Sequence, residues 1–178
     1  MKKTLILLLF ALTACTHPPE YHPVDYERLS DKVTYQVINE LQKKHGLVFA
    51  GIGGGMMGNI REMSISFDLF HEVDLSEARA LSIDCGQTYL QAINDSKELR
   101  PYLREYPFTI KGVRILIWIH KKHWLKVEVG SICFISLSNG TLRYRIQKPS
   151  EFDSNDILLE ETYEEALKKL EIQPKEAQ

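Results

Sequence analysis

The sequence predicts an α+β domain, a mainly antiparallel sheet of about five strands with helices packed on one face, in the order α-β-β-α-β-β-β-α. Three observations carry this. Two stretches repeat apolar residues at helical spacing: Leu29, Val33, Val37 and Leu41 in one, and Leu75, Ala78, Leu81, Cys85, Tyr89 and Ala92 in the other. Two others alternate strictly, Met63, Ile65, Phe67 and Leu69 against Ser64, Ser66 and Asp68, and Leu142, Tyr144 and Ile146 against Arg143 and Arg145. Asn139-Gly140 stands just before the second of these, and an Asn-Gly pair is the strongest short hairpin signal because both residues tolerate positive φ.

Taken in order, the first helix covers Tyr26 to His45, with Ile38 widening its stripe and Gly46 available as a C-terminal stop. Leu47 to Ile52 is an apolar run of strand length, and with Met63 to Leu69 it flanks a glycine-rich stretch, so the two are expected to form a hairpin. Within that stretch Gly53-Gly54-Gly55-Met56-Met57-Gly58 fits the spacing G-x-G-x-x-G. A dinucleotide loop must open a helix whose N-terminal amides face the pyrophosphate, whereas a strand follows here. A Walker A loop needs Lys and Ser or Thr after its last glycine, and Gly58 is followed by Asn59-Ile60. These glycines are therefore read as permitting positive backbone angles and a bulged or closely approached hairpin. Neither nucleotide nor nucleic acid is expected as a partner.

Asp74-Leu75-Ser76-Glu77 has the spacing of a capping box and starts the second helix, which runs to about Asn94. Pro101 limits the continuation from Ser96 to Leu103 to a turn or broken helix. Val113 to Ile119 is apolar on nearly both faces, as a central strand is. After a turn at Lys121-Lys122, Leu125 to Val129 and Ile132 to Leu137 read as strand pieces broken at Gly130-Ser131. Beyond the Asn-Gly turn, Arg143 and Arg145 should point away from the apolar face. Tyr163, Ala166, Leu167 and Leu170 mark a last helix, with glutamates at its start and Lys168-Lys169 near its end to match the helix dipole. One domain over residues 26–172 is expected, with residues 173–178 frayed.

The first 14 residues, MKKTLILLLFALTA, place two lysines before an apolar run from Leu5 to Leu12. That run is shorter than the ~20 residues a membrane span requires, so it reads as a secretory leader. Leu12-Thr13-Ala14-Cys15 resembles the lipobox of bacterial lipoproteins. The resemblance implies that residues 1–14 are removed and that Cys15 becomes the first mature residue, carrying covalent lipid. Thr16 stands where many such proteins carry the aspartate that retains them at the inner membrane, so the likeness implies an outer-membrane protein facing the periplasm. Residues 15–25, with three prolines and two histidines, read as the lipidated terminus and its tether.

Hydrophobic and charged contents of 44% and 26% are ordinary for a globular domain. Charge is unevenly spread. Lys97–Lys148 holds 11 basic and 3 acidic residues, Cys15–Ser96 holds 6 and 12, and Pro149–Gln178 holds 3 and 9. A basic middle can attract an anionic partner, with Arg114, Arg143 and Arg145 as the candidate binding residues, or the acidic flanks can fold back and neutralise it.

Asp84-Cys85-Gly86 resembles the start of the Asp-Cys-Ser-Gly motif of envelope cysteine peptidases that cut peptidoglycan peptides. The likeness implies Cys85 as nucleophile with His120 or His123 moving the proton. The chain departs from that motif in lacking the serine after the cysteine, and His123-Trp124-Leu125-Lys126 does not match the small-residue strand that carries the family's histidine. Export also makes a Cys85–Cys133 disulfide a possibility. No metal ligand set and no cofactor is read, since the lysines of His120-Lys121-Lys122-His123 repel a cation. The segments from Ile83 to Thr109 and around the glycines also resemble small uncharacterised bacterial lipoproteins. The resulting expectation is a lipid-anchored, non-catalytic envelope module that binds another envelope protein, peptidoglycan or anionic lipid. A Cys85 hydrolase and a small-ligand carrier with a pocket between helix and sheet are the alternatives.

Overall fold

The computed structural model describes residues 25–149 and 156–172. The leader, the lipobox with Cys15 and residues 173–178 lie outside them. The elements run α1 (Asp25–His45), β1 (Val48–Gly55), β2 (Glu62–Leu69), α2 (Leu75–Asp95), β3 (Val113–Ile119), β4 (Ile132–Ser138), β5 (Thr141–Ile146), β6 (Asp156–Thr162) and α3 (Tyr163–Ile172). The fold is α+β, with one mixed sheet of six strands in the sequential order β1-β2-β3-β4-β5-β6. Every pairing is antiparallel except β2 with β3, where α2 forms the crossover that a parallel pair requires.

Local chemistry places most of these elements. Asp74 accepts from the Glu77 backbone N–H at 2.8 Å while the Glu77 carboxylate accepts from the Asp74 N–H at 3.0 Å, closing the capping box at the start of α2. Asn139 and Gly140 have φ of 50° and 72°, the paired left-handed conformation that turns β4 into β5. The first turn of α1 carries Asp25 and Glu27 and its last turn Lys43, Lys44 and His45, in line with the helix dipole.

All three helices lie on one face. Met63, Ile65 and Phe67 of β2, Val113, Ile115 and Ile117 of β3 and Leu142 and Tyr144 of β5 are buried beneath them in a single core with Leu41, Cys85 and Ile93. At Gly86 of α2 a Cβ would stand 2.8 Å from Leu137 Cδ2 and 3.1 Å from the Tyr163 ring, so the glycine is what lets α2 approach the sheet and α3 this closely.

Three expectations are corrected. The sheet has six strands, not five, because Asp156–Thr162 pairs with β5. Leu125–Val129 is not a strand piece: only a single bridge joins Leu125 to Lys121, and β4 begins at Ile132. The glycines do not form the hairpin turn. Gly51 and Gly53–Gly55 belong to β1, which bulges between Phe49 and Gly51, and only Gly58 in the turn has positive φ. Among the described residues no helix is long and apolar enough to cross a membrane.

Candidate functional site

Period two fixes what the uncovered face of the sheet displays. Register aligns Val48, Asp68, Trp118, Phe134, Arg145 and Ile157 in one row across the strands, and Gly51, Ser66, Leu116, Ser136, Arg143 and Glu160 in the next. Arg114, Arg143 and Arg145 all stand on this face, away from the helices. They do not form a free basic stripe. Arg114 pairs with Glu62 at 2.8 Å and Arg143 with Glu160 at 2.7 Å. Lys148 pairs with Asp156 and Lys121 with Glu72 in the same way, so the acidic flanks fold back on the basic middle. Arg145 differs: its Nε is buried and has no hydrogen-bond partner among the described residues.

Beside Arg145 the face is aromatic. Trp118 is 37% exposed and its ring centroid lies 5.2 Å from that of Phe134. One strand pair further along, Phe70, His120 and Trp124 cluster, with Trp124 4.8 Å from Phe70 edge-on and 5.3 Å from His120. His120 Nε2 is held at 2.9 Å by the largely buried carboxylate of Asp68. His123 and Trp124 both occupy the left-handed region, at φ of 60° and 62°, and Trp124 is 63% exposed. Left-handed backbone is costly for so bulky a residue, and here it holds an indole outward.

The residues of the hydrolase alternative are not brought together. Cys85 is fully buried on α2 under the helix-covered face, whereas His120 stands on the opposite face with Asp68. Burial, and after it the Asp84 charge, pushes the Cys85 thiol well above its ordinary range, opposite to what a nucleophile needs. The neighbouring Asp84 is engaged by Lys44 and His45, each at 2.6 Å. Burial works to raise the Asp84 carboxyl, but these two hydrogen bonds outweigh it and hold it low. Cys133 is also free, its thiol donating to the Arg145 carbonyl at 3.4 Å, so no Cys85–Cys133 bridge forms. Thiol labelling of the folded protein should therefore leave Cys85 unmodified until denaturant is added; alkylation of the native protein at the rate of a free peptide thiol would overturn this placement.

A cavity of about 530 Å³ opens between the end of α1, the first half of α2, and α3, lined by Leu69, Leu81, Ile83, Leu167 and Leu170 with Lys44, His45 and Asp84 among its polar groups. Size and lining fit a small-molecule site. Among the described residues, no three His, Cys, Asp or Glu side chains gather to hold a metal ion. Buried charge elsewhere is structural: Glu161 of β6 receives Arg79 of α2 at 2.7 Å, Lys169 at 2.5 Å and the Tyr144 hydroxyl at 3.1 Å. From sequence, Trp118, Trp124 and Phe134 could be core, sheet face or the lining of a groove; pairing of β3 with β2 and β4 puts Trp118 on the open face, at period two from Arg114 and Leu116. No protein-family model, curated protein or solved structure matches the chain.

Proposed function

We propose that the protein is an envelope lipoprotein, acylated at Cys15 and held at the outer membrane with its domain in the periplasm, that binds another envelope protein without catalysis. The observation that carries the binding role is the sheet face left open by the described helices, with Trp118, Phe134 and Arg145, whose Nε has no hydrogen-bond partner among the described residues, side by side. Tryptophan and arginine dominate the energetics of protein interfaces, and an exposed aromatic patch rimmed by polar residues is the usual mark of one. The small residues Gly51 and Ser66 in the adjoining row let a partner come close. A protein partner fits better than an anionic membrane surface, because two of the three arginines are already neutralised by Glu62 and Glu160. Cys85 has a packing role in this reading.

A photo-crosslinking residue at exposed Ile157, in the row of Trp118 and Arg145, should give a discrete protein adduct in intact cells, and the same residue at exposed Gln36 on α1 should not. Trp118→Ala is expected to cost about 2 kcal/mol of binding, roughly 30-fold in Kd. Arg145→Glu should weaken the adduct as well. Equal crosslinking from both positions, or an adduct indifferent to Trp118→Ala, would sink the sheet-face reading. The cavity beside Asp84 supports a second role as a carrier of a small apolar ligand, for which ligand-dependent melting is the test.

A further inference from the structure

The two edges of the sheet differ in how they meet solvent. β6 carries Asp156, Glu160 and Glu161, and its pairing with β5 slips between Tyr144 and Arg145. Charges and an irregular register both discourage another strand from joining. β1, at the other edge, pairs with β2 alone and reads VFAGIGGG, with no charge and no proline. Its outer N–H and C=O groups have no strand partner in this sheet, and beyond the bulge Gly51–Gly55 follows one continuous register.

The glycines divide by what the fold asks of them. A Cβ on Gly54 would come 2.5 Å from the Glu62 carbonyl oxygen, so the domain itself excludes a side chain there. A Cβ on Gly51 would meet nothing within 4 Å and one on Gly53 only Ser64 Cβ at 4.0 Å, and neither glycine has positive φ. The fold does not need these two to be glycine. Bare backbone at an edge does one further thing: it lets a second backbone approach without obstruction.

Between this edge and α1 lies a groove of about 460 Å³, lined by Glu27, Ser30, Asp31 and Thr34 of α1 and by Ile52, Met56 and Met57 from the strand side. Its lining holds two carboxylates and no cation. Glu27 Oε2 is buried and has no hydrogen-bond partner among the described residues. A buried carboxylate oxygen left unpaired is costly and is relieved by a donor brought from outside. Met57, 85% exposed, offers an adaptable apolar contact at the mouth.

We propose that β1 takes up an extended polypeptide segment as an added strand, and that a lysine or arginine of that segment enters the groove beside α1 to pair with Glu27 and Asp31. Main-chain hydrogen bonds along Gly51–Gly55 supply the affinity and the two carboxylates select the side chain. This surface is the edge of the sheet, not its open face, and depends neither on Trp118 nor on acylation of Cys15.

The test uses the full mature chain and an end-capped peptide of alternating valine and lysine, followed by amide hydrogen exchange. The peptide should slow exchange at the alternate amides of Gly51–Gly55 that face away from β2. Its counterpart with glutamate in place of lysine, and a backbone N-methylated version, should not. Glu27→Gln combined with Asp31→Asn should weaken the lysine peptide at least tenfold while leaving the melting temperature unchanged, and Trp118→Ala should leave peptide binding intact. Absence of protection at millimolar peptide, equal binding of the lysine and glutamate peptides, or no loss in the double variant would each overturn the proposal.

Discussion

Glu161→Leu is expected to destabilise the domain by about 3–5 kcal/mol, the cost of leaving a buried charge without its partner. Glu161 is 4% exposed and Arg79 8%. The Arg79 guanidinium meets the carboxylate through Nε at 2.7 Å and Nη2 at 3.4 Å, and Lys169 and Tyr144 complete its shell. This cluster ties α2, β5, β6 and α3 together. Removing the carboxylate strands a guanidinium beneath the helices, and urea unfolding should show the loss as a lower midpoint at unchanged slope. Arg79→Met added to Glu161→Leu should restore most of it, since taking out both charges removes the desolvation cost along with the attraction. A double variant no more stable than the single one would show that the cluster is not acting as an ion pair.

The same residue sets a pH dependence. Burial pushes the Glu161 carboxyl up, but the hydrogen bonds from Arg79, Lys169 and Tyr144 outweigh it and hold it below the usual carboxylate range. A carboxyl lowered in the folded state contributes stability that is fully present above its unfolded pKa, about 4.3, and is lost as pH falls through the lower folded value. Asp84 is lowered as well, so the wild type alone cannot isolate Glu161. The wild type should therefore lose stability below about pH 4 more steeply than Glu161→Gln.

What could be read from sequence was what depends on near neighbours. The capping box spans three residues, the Asn-Gly turn two, and the stripe of α1 recurs every turn, so each was legible. Period two likewise placed Arg143 and Arg145 on the face away from the core. β6 escaped because its register slips between Ile157 and Leu159, so Ile157-Leu158-Leu159 is a run, not an alternation, and Glu161 turns inward where an acid is not expected. With β6 unseen, the Arg143–Glu160 pair was invisible too, and the basic middle looked freer than it is. The separation of Cys85 from His120 is a matter of which side of the sheet each occupies, which no spacing encodes. β3 is the central strand its apolar run implies, paired on both sides; the described helices cover one of its faces, and Leu116 and Trp118 are the apolar residues left on the other.

Cys15→Ser, expressed behind a leader of the ordinary cleaved type, is expected to move the protein entirely from the membrane fraction to the soluble periplasm. Intact mass should show lipid on the wild type and none on the variant. The size of the effect follows from chain number: one acyl chain gives only marginal binding, about 10⁴ M⁻¹, and each buried methylene adds about 0.8 kcal/mol, so an anchor of several chains leaves essentially no free protein. A wild-type chain without lipid, or a variant still held at the membrane, would remove the lipoprotein reading while leaving the sheet-face and edge surfaces to be tested on their own. The chain enters the domain at Asp25, and the Tyr26 hydroxyl donates to the Met56 carbonyl at 3.0 Å, so the entry point sits beside the β1–β2 turn. α1 then runs 21 residues, about 32 Å at 1.5 Å per residue, to His45, next to the end of the sheet where Val48, Asp68 and Trp118 align. The row holding Trp118 thus lies at the end of the sheet away from Asp25, while the glycines of β1 lie near Asp25. If the partner at Trp118 is itself fixed in the envelope, release of the domain also lowers its effective concentration, and the Ile157 adduct should fall with it by roughly 10²-fold.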